Sequence, residues 1–270
     1  MEIIGYLCAT VIGISLGILG SGGSILTVPI MVYLMNINPV DATGLSLFVV
    51  GITSATGGIT YWQKKLVDLK TAVIFATPSI ISVFLTRKYL MPLIPDPVFS
   101  TPSFVLSKEL FILLLFSILM VIVGYNMIRK ARFKEPEVEE FHEFNYPGLI
   151  GIGLVSGVLT GILGVGGGFI IIPALVLFAK IPVRMSVGTS LFIIAVNSFG
   201  GFAQDVISQH AQIDYRFLFL FAIFSVAGIF IGLKISLKLQ PAMLKKLFGW
   251  FIILMGVGIF IKEIIFRENQ

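Results

Sequence analysis

Apolar residues run along the chain in long stretches with polar residues gathered between them. The stretches cover approximately 3–19, 24–36, 42–62, 69–88, 108–128, 147–163, 169–180, 185–204, 215–236 and 243–261. A helix that crosses a bilayer needs about 20 apolar residues. Lipid admits only segments that satisfy their own backbone, and these stretches lack the period-two alternation of a barrel strand. The pattern predicts an all-α polytopic membrane protein.

Two stretches are interrupted by glycine. "GILGSGGSILTVP" (Gly17–Pro29) and "GILGVGGGFIIIP" (Gly161–Pro173) match at seven of 13 positions when shifted by 144 residues. At the same offset "ATGLSLFVVGITS" (Ala42–Ser54) faces "SVGTSLFIIAVNS" (Ser186–Ser198), and two extra residues then bring "VDLK" (Val67–Lys70) against "IDYR" (Ile213–Arg216). The chain is read as a tandem duplication, with transmembrane repeats at 1–128 and 147–270 of about five helical elements each. A charged cytoplasmic linker at 129–146, "RKARFKEPEVEEFHEFNY", joins them.

Orientation follows from where the basic residues fall. If each glycine-broken pair of segments makes one crossing, the repeats are parallel, and 10 of the 19 Lys and Arg lie on the linker's side. If each pair is a hairpin, fully spanning or re-entrant, the repeats are inverted and 13 lie on that side. Cytoplasmic loops carry the excess of Lys and Arg, so the sequence favours inverted repeats with both termini outside.

Segments 24–36 and 169–180 are short for a span and read as half-helices that start just after the glycine turns. A helix start presents unpaired N–H groups and the positive end of its dipole, and glycine lets an oxyanion approach that backbone closely. Broken helices in inverted-repeat transporters bind ligand near the midplane. The substrate-binding candidates here are Gly20, Gly22, Gly23 and Ser24 in the first turn and Gly164, Gly166, Gly167 and Gly168 in the second.

The helix that follows each turn carries a polar stripe. Ser186, Ser190, Asn197 and Gln204 share a face in the second copy; Ser46, Thr53 and Thr60 stand at matching positions in the first. Ser46, Thr53, Thr189, Ser190 and Asn197 join the candidate site, flanked by Ser54 and Ser198. Such hydroxyls also bond neighbouring helices or their own carbonyls, and spaced glycines such as Gly13/Gly17 and Gly153/Gly157/Gly161 allow close helix packing.

Composition agrees with the pattern: 57% of residues are hydrophobic and 12% charged, about half the charge of a soluble domain. The first apolar segment lacks the basic start and cleavage site of a signal peptide, so it is expected to stay in the membrane. Cys8 is the sole cysteine, and His142 and His210, the two histidines, lie in polar loops, so no metal site or cofactor is expected. A net charge of +5 sits at segment ends rather than in one stripe, which points to topology and lipid contact instead of nucleic acid. Charged residues avoid the middle of every apolar segment. Arg184, Asp205 and Asp214, near segment ends, are candidates for gating or coupling.

The duplicated G-x-x-G-x-G-G turn with its trailing proline, together with "TSL" at Thr189–Leu191, resembles the TauE/SafE (TSUP) family of sulfite and organosulfonate exporters, over residues 5–262. The first copy departs from the pattern at Ser21, Ser24 and Gly44-Leu45-Ser46, so the two half-sites are not identical. The resemblance implies a multi-pass protein of the bacterial inner membrane that exports a small sulfur-containing anion such as sulfite, thiosulfate or a sulfonate by alternating access. Protons are the candidate coupling ion, and oligomeric state, direction and exact substrate stay open. A passive anion channel is the alternative. An intramembrane enzyme with Ser21 as nucleophile lacks a base within reach.

Overall fold

The computed structural model describes residues 2–20, 22–101, 104–130, 146–164, 166–207, 215–236 and 241–265. Ser21, Asp214, both histidines and residues 131–145 of the linker lie outside them.

Helix α1 (Glu2–Leu19) stops where Gly20 takes a φ of 74°, a left-handed conformation that costs glycine little. A 3-10 turn (Gly22–Leu26) and α2 (Thr27–Tyr33) follow. They run back along α1, because Gly23 lies against Ser15 and Leu16 while Gly5 lies against Met35. The second copy repeats the figure: α7 (Tyr146–Leu163) ends at Gly164 with φ 69°, and α8 (Gly168–Phe178) starts after Gly166 and Gly167, both also at positive φ. Helix α8 has 11 residues, so it covers about 16 Å, roughly half of a bilayer's apolar thickness. Asn36 and Lys180, 144 positions apart, both take a φ of 55° just beyond α2 and α8, the left-handed stop common after helices.

The long helices start at side-chain caps. Asn38 accepts from Val40 N at 2.9 Å ahead of α3 (Pro39–Gln63), with proline at the first turn, where its missing N–H is harmless. Asp68 accepts from Lys70 N and Thr71 N at the start of α4 (Leu69–Leu85). A π-helical turn (Thr86–Leu90) and α5 (Met91–Leu93) prolong α4, and a hairpin of β1 (Phe99–Thr101) and β2 (Phe104–Leu106) leads to α6 (Lys108–Lys130). The second copy continues with α9 (Val183–Ile207), α10 (Tyr215–Ser236) and α11 (Pro241–Ile265). Each repeat therefore has five principal helical elements. Among the described residues, six helices are long and apolar enough to cross a membrane, and this is a multi-pass membrane protein.

Packing crosses the repeat boundary. One compact unit covers Met1–Met91 and Val138–Leu237; the other covers Pro92–Glu137 and Lys238–Gln270. Within the first, α1 lies along α10 and α7 along α4, both pairs running parallel: Gly13 and Gly17 face the backbone at Ser225 and Ile229, and Gly153 and Gly157 face that at Phe75 and Ser79. Helix α3 crosses α9 antiparallel, with Gly44 beside Asp205, Gly51 beside Ser198 and Phe199, and Gly58 beside Phe192. Around this crossing Val50, Phe75, Leu149, Ile171, Leu175, Ile193 and Ile194 form a buried core. In the second unit α6 and α11 are also antiparallel, Gly124 meeting Gly249 and Gly256 meeting Ser117.

Large apolar side chains such as Leu154, Val155, Phe219, Ile223 and Phe230 are exposed, as expected of surfaces that face lipid. The glycines on the other side let backbones touch. A Cβ at Gly157 would collide with the Ser79 carbonyl, whereas one at Gly151, on the same helix, meets nothing within 4 Å. Gly157→Ala should cost about 1–3 kcal/mol by overpacking, while Gly151→Ala should stay within about 0.5 kcal/mol or stabilise through helix propensity. Thermal unfolding of the purified protein in detergent measures both.

Candidate functional site

The second glycine turn sits at the middle of the α3–α9 crossing. A Cβ at Gly166 would meet Ile194 and Val50, which occupy equivalent positions in the two copies, and would lie 3.4 Å from Ser198 Oγ. One at Gly167 would meet the hydroxyls of Thr160 and Ser156. The first turn reaches the same region: Gly20 packs against Val187 of α9 and against Ile172 of α8. Val187 and Ile194 are seven residues apart, so one helix touches both turns within about 10 Å.

Each copy supports the other. Where α7 breaks off, the Gly164 carbonyl loses its intrahelical donor, and Ser46 of α3 lies 2.6 Å from it and 2.9 Å from the Thr43 carbonyl. Asn197 of α9 donates through Nδ2 to Ser79 Oγ of α4 at 2.6 Å, and Thr53 of α3 bonds Ser225 Oγ of α10 at 3.0 Å. These two pairs are the same pair in the two repeats, since Asn197 matches Thr53 and Ser225 matches Ser79 with the two-residue insertion.

Not all the polar stripe is available to a ligand. Ser186 and Ser190 are buried and donate to carbonyls of their own segment, Ser190 to Val187 at 2.8 Å. Thr60 bonds the Thr56 carbonyl. Thr189 accepts from Asp68 N at 2.9 Å, fastening the α3–α4 connection instead of facing the turns. Ser24 is fully buried beside the first turn. Gly22, Gly23 and Gly168 occupy the first residues of their helical segments.

Buried polar atoms without a protein partner collect around the second turn: Ser156 Oγ and Thr160 Oγ1 of α7 beside Gly167 and Ser198 Oγ of α9 beside Gly166, with Asn197 Oδ1 next along α9; Thr27 Oγ1 of α2 and Ser54 Oγ of α3 belong to the first copy. Burying such groups unpaired costs free energy, so their clustering marks a place where a polar partner belongs. Ser156 and Thr160 escaped the sequence reading because their counterparts in the first copy are Ile12 and Leu16, and the search followed duplicated positions.

The charged candidates separate. Arg184 is exposed at the start of α9, and Asp214 lies outside the described residues. Asp205 lies two residues before the end of α9, buried and paired at 2.6 Å with Arg87. Arg87 stands near the end of the apolar stretch 69–88, but the helix runs on to Leu93 and the side chain is buried. Among the described residues no cluster of His, Cys, Asp or Glu is arranged to hold a metal.

Comparison with known sequences accords with this architecture. The profile of the sulfite exporter TauE/SafE family matches residues 5–259. A probable membrane transporter protein of Xylella fastidiosa is 29% identical over 251 residues, covering 91% of this chain and 90% of the relative. The probable membrane transporter protein YunE of Bacillus subtilis is 28% identical over 263 residues, with 89% and 90% covered. One from Methanocaldococcus jannaschii is 26% identical over 263 residues, with 92% of each covered. A duplicated helical fold with glycine-broken hairpins and a family match along almost its whole length make this chain a membrane transporter that belongs to the sulfite exporter TauE/SafE family.

Proposed function

We propose that the protein carries a sulfur-containing anion such as sulfite, thiosulfate or a sulfonate out across the cytoplasmic membrane by alternating access, with the ligand held between the two glycine turns. The observation that carries the reading is the cluster of unpartnered hydroxyls at the start of α8. Helix N–H groups at a left-handed glycine start, ringed by neutral donors, suit an anion that must bind and also leave. The family name supplies sulfite as the first substrate to try.

Inverted repeats supply the geometry for alternation. Equivalent helices α3 and α9 run antiparallel, as do α6 and α11. A two-fold operation that maps a helix onto an antiparallel neighbour has its axis across the helices, in the membrane plane, and this supports the inverted arrangement over the parallel one. Labelling decides between them. In a Cys8→Ser background, Lys64→Cys and Arg184→Cys should react with an impermeant thiol reagent from the same, cytoplasmic face, and parallel repeats would place them on opposite faces.

Transport and stability should move in opposite directions at the proposed site. Thr160→Val removes a buried hydroxyl that has no partner in the protein, so the melting temperature should hold or rise. Saturable sulfite flux in proteoliposomes, accelerated by sulfite on the far side, should fall roughly tenfold or more, because a hydrogen bond to an anion is among the stronger ones. Normal flux with a lower melting temperature would make Thr160 a packing residue. Flux that never saturates and ignores countertransport would describe a channel.

A further inference from the structure

The Arg87–Asp205 pair, one residue from each repeat, is not duplicated. The matching positions hold Leu233 and Tyr61, so the fold does not require an ion pair there. An ionisable residue inside a membrane helix is costly and usually functional. Arg87 lies in the π-helical turn Thr86–Leu90, where Met91 N bonds back to the Thr86 carbonyl; such turns recur at functional sites. Thr86 and Arg87 are buried, while Lys88, Tyr89 and Leu90 are exposed.

The pair stands beside the second glycine turn. Thr86 packs on Gly161, three residues before Gly164, and a Cβ at Gly44 would lie 2.6 Å from Asp205 Oδ2 and 3.7 Å from Arg87 Nη1. Gly44 is two residues from Ser46, which bonds the Gly164 carbonyl. Asp205 takes only Nη1 of the guanidinium; Nε and Nη2 are buried with no hydrogen-bond partner. Those two nitrogens lie on one edge of the planar group, and their N–H bonds point the same way. This is the fork that accepts two oxygens of one oxyanion side by side.

From this edge we infer that Arg87, oriented by Asp205, is an anion-binding residue for a ligand with two oxygens on one atom, a sulfite, sulfonate or carboxylate, and that it discriminates against a monatomic halide. The inference deepens the transport reading and rests on it for the ligand's identity. A guanidinium with Nη1 committed to Asp205 is held in place and keeps the Nε–Nη2 edge for the ligand. The pairing also offsets part of its charge, so that the anion is not held irreversibly.

The test is thermal unfolding of the purified full chain in detergent with sulfite, methanesulfonate, acetate or chloride at equal ionic strength, run beside sulfite flux in proteoliposomes. Oxyanions should raise the wild-type melting temperature by a few degrees and chloride should not. Arg87→Lys keeps the charge and a partner for Asp205 but loses the fork, so it should lose most of the shift and the preference over chloride. The double variant Arg87→Gln/Asp205→Asn, which leaves no orphaned charge, should lose the shift entirely, and sulfite flux should drop roughly tenfold or more in both. No oxyanion shift in the wild type, or a full shift in Arg87→Lys, would overturn the assignment. An Arg87-dependent shift without sulfite flux would withdraw the transport substrate and leave the site. Full flux in both variants would leave transport standing and remove Arg87 from it.

Discussion

A helix that breaks off inside a packed bundle strands backbone carbonyls that water would otherwise satisfy, and the fold covers the one at the end of α7. Ser46 at 2.6 Å from the Gly164 carbonyl shows how: the long helix of one repeat caps the break in the other. Helices α3 and α9 therefore have to meet at the turns, and their antiparallel crossing brings Val50, Ile194 and Gly166 together. The parallel pairs α1–α10 and α4–α7 follow, since the broken hairpins must lie where the long helices can reach them. Glycines spaced four apart on these helices let backbones approach in place of a hydrophobic driving force that lipid does not provide.

Much of this was legible in the sequence because duplication writes each feature twice. The glycine turns and the polar stripe recur at one offset, the later elements at shifted ones, and the structure places them as a repeated set of helices. What recurs is scaffold as well as site, however. Thr189 belongs to the most recognisable motif, yet it holds the Asp68 backbone, and Ser190 is spent on its own helix. Partners on other helices, Ser79 and Ser225, could not be paired with Asn197 and Thr53 without knowing which helices pack.

Features that occur once were the hardest to see. Ser156, Thr160 and Arg87 have Ile12, Leu16 and Leu233 as counterparts, so a reading guided by repetition passes over them. Arg87 was hidden further by its place at the end of an apolar stretch, because the sequence does not show that the backbone continues through a π turn to Leu93. Hydropathy reports the composition of a segment and carries no information about where a buried charge finds its partner.

The unequal repeats also supply an internal control. The Arg87–Asp205 pair takes one residue from each repeat, the equivalent positions hold Leu233 and Tyr61, and both sets are accommodated in the same compact unit. A buried ion pair is rarely more stabilising than apolar residues of similar volume, so stability alone does not account for keeping it. The same holds for the hydroxyls at Gly167 against Ile12 and Leu16. The first copy has a departure of its own, since the unpartnered Thr27 Oγ1 of α2 stands where the second copy has Ile171. The two copies share one scaffold, and Ser156, Thr160, Thr27 and Arg87, whose buried polar atoms lack a partner, all stand where the other copy has an apolar residue.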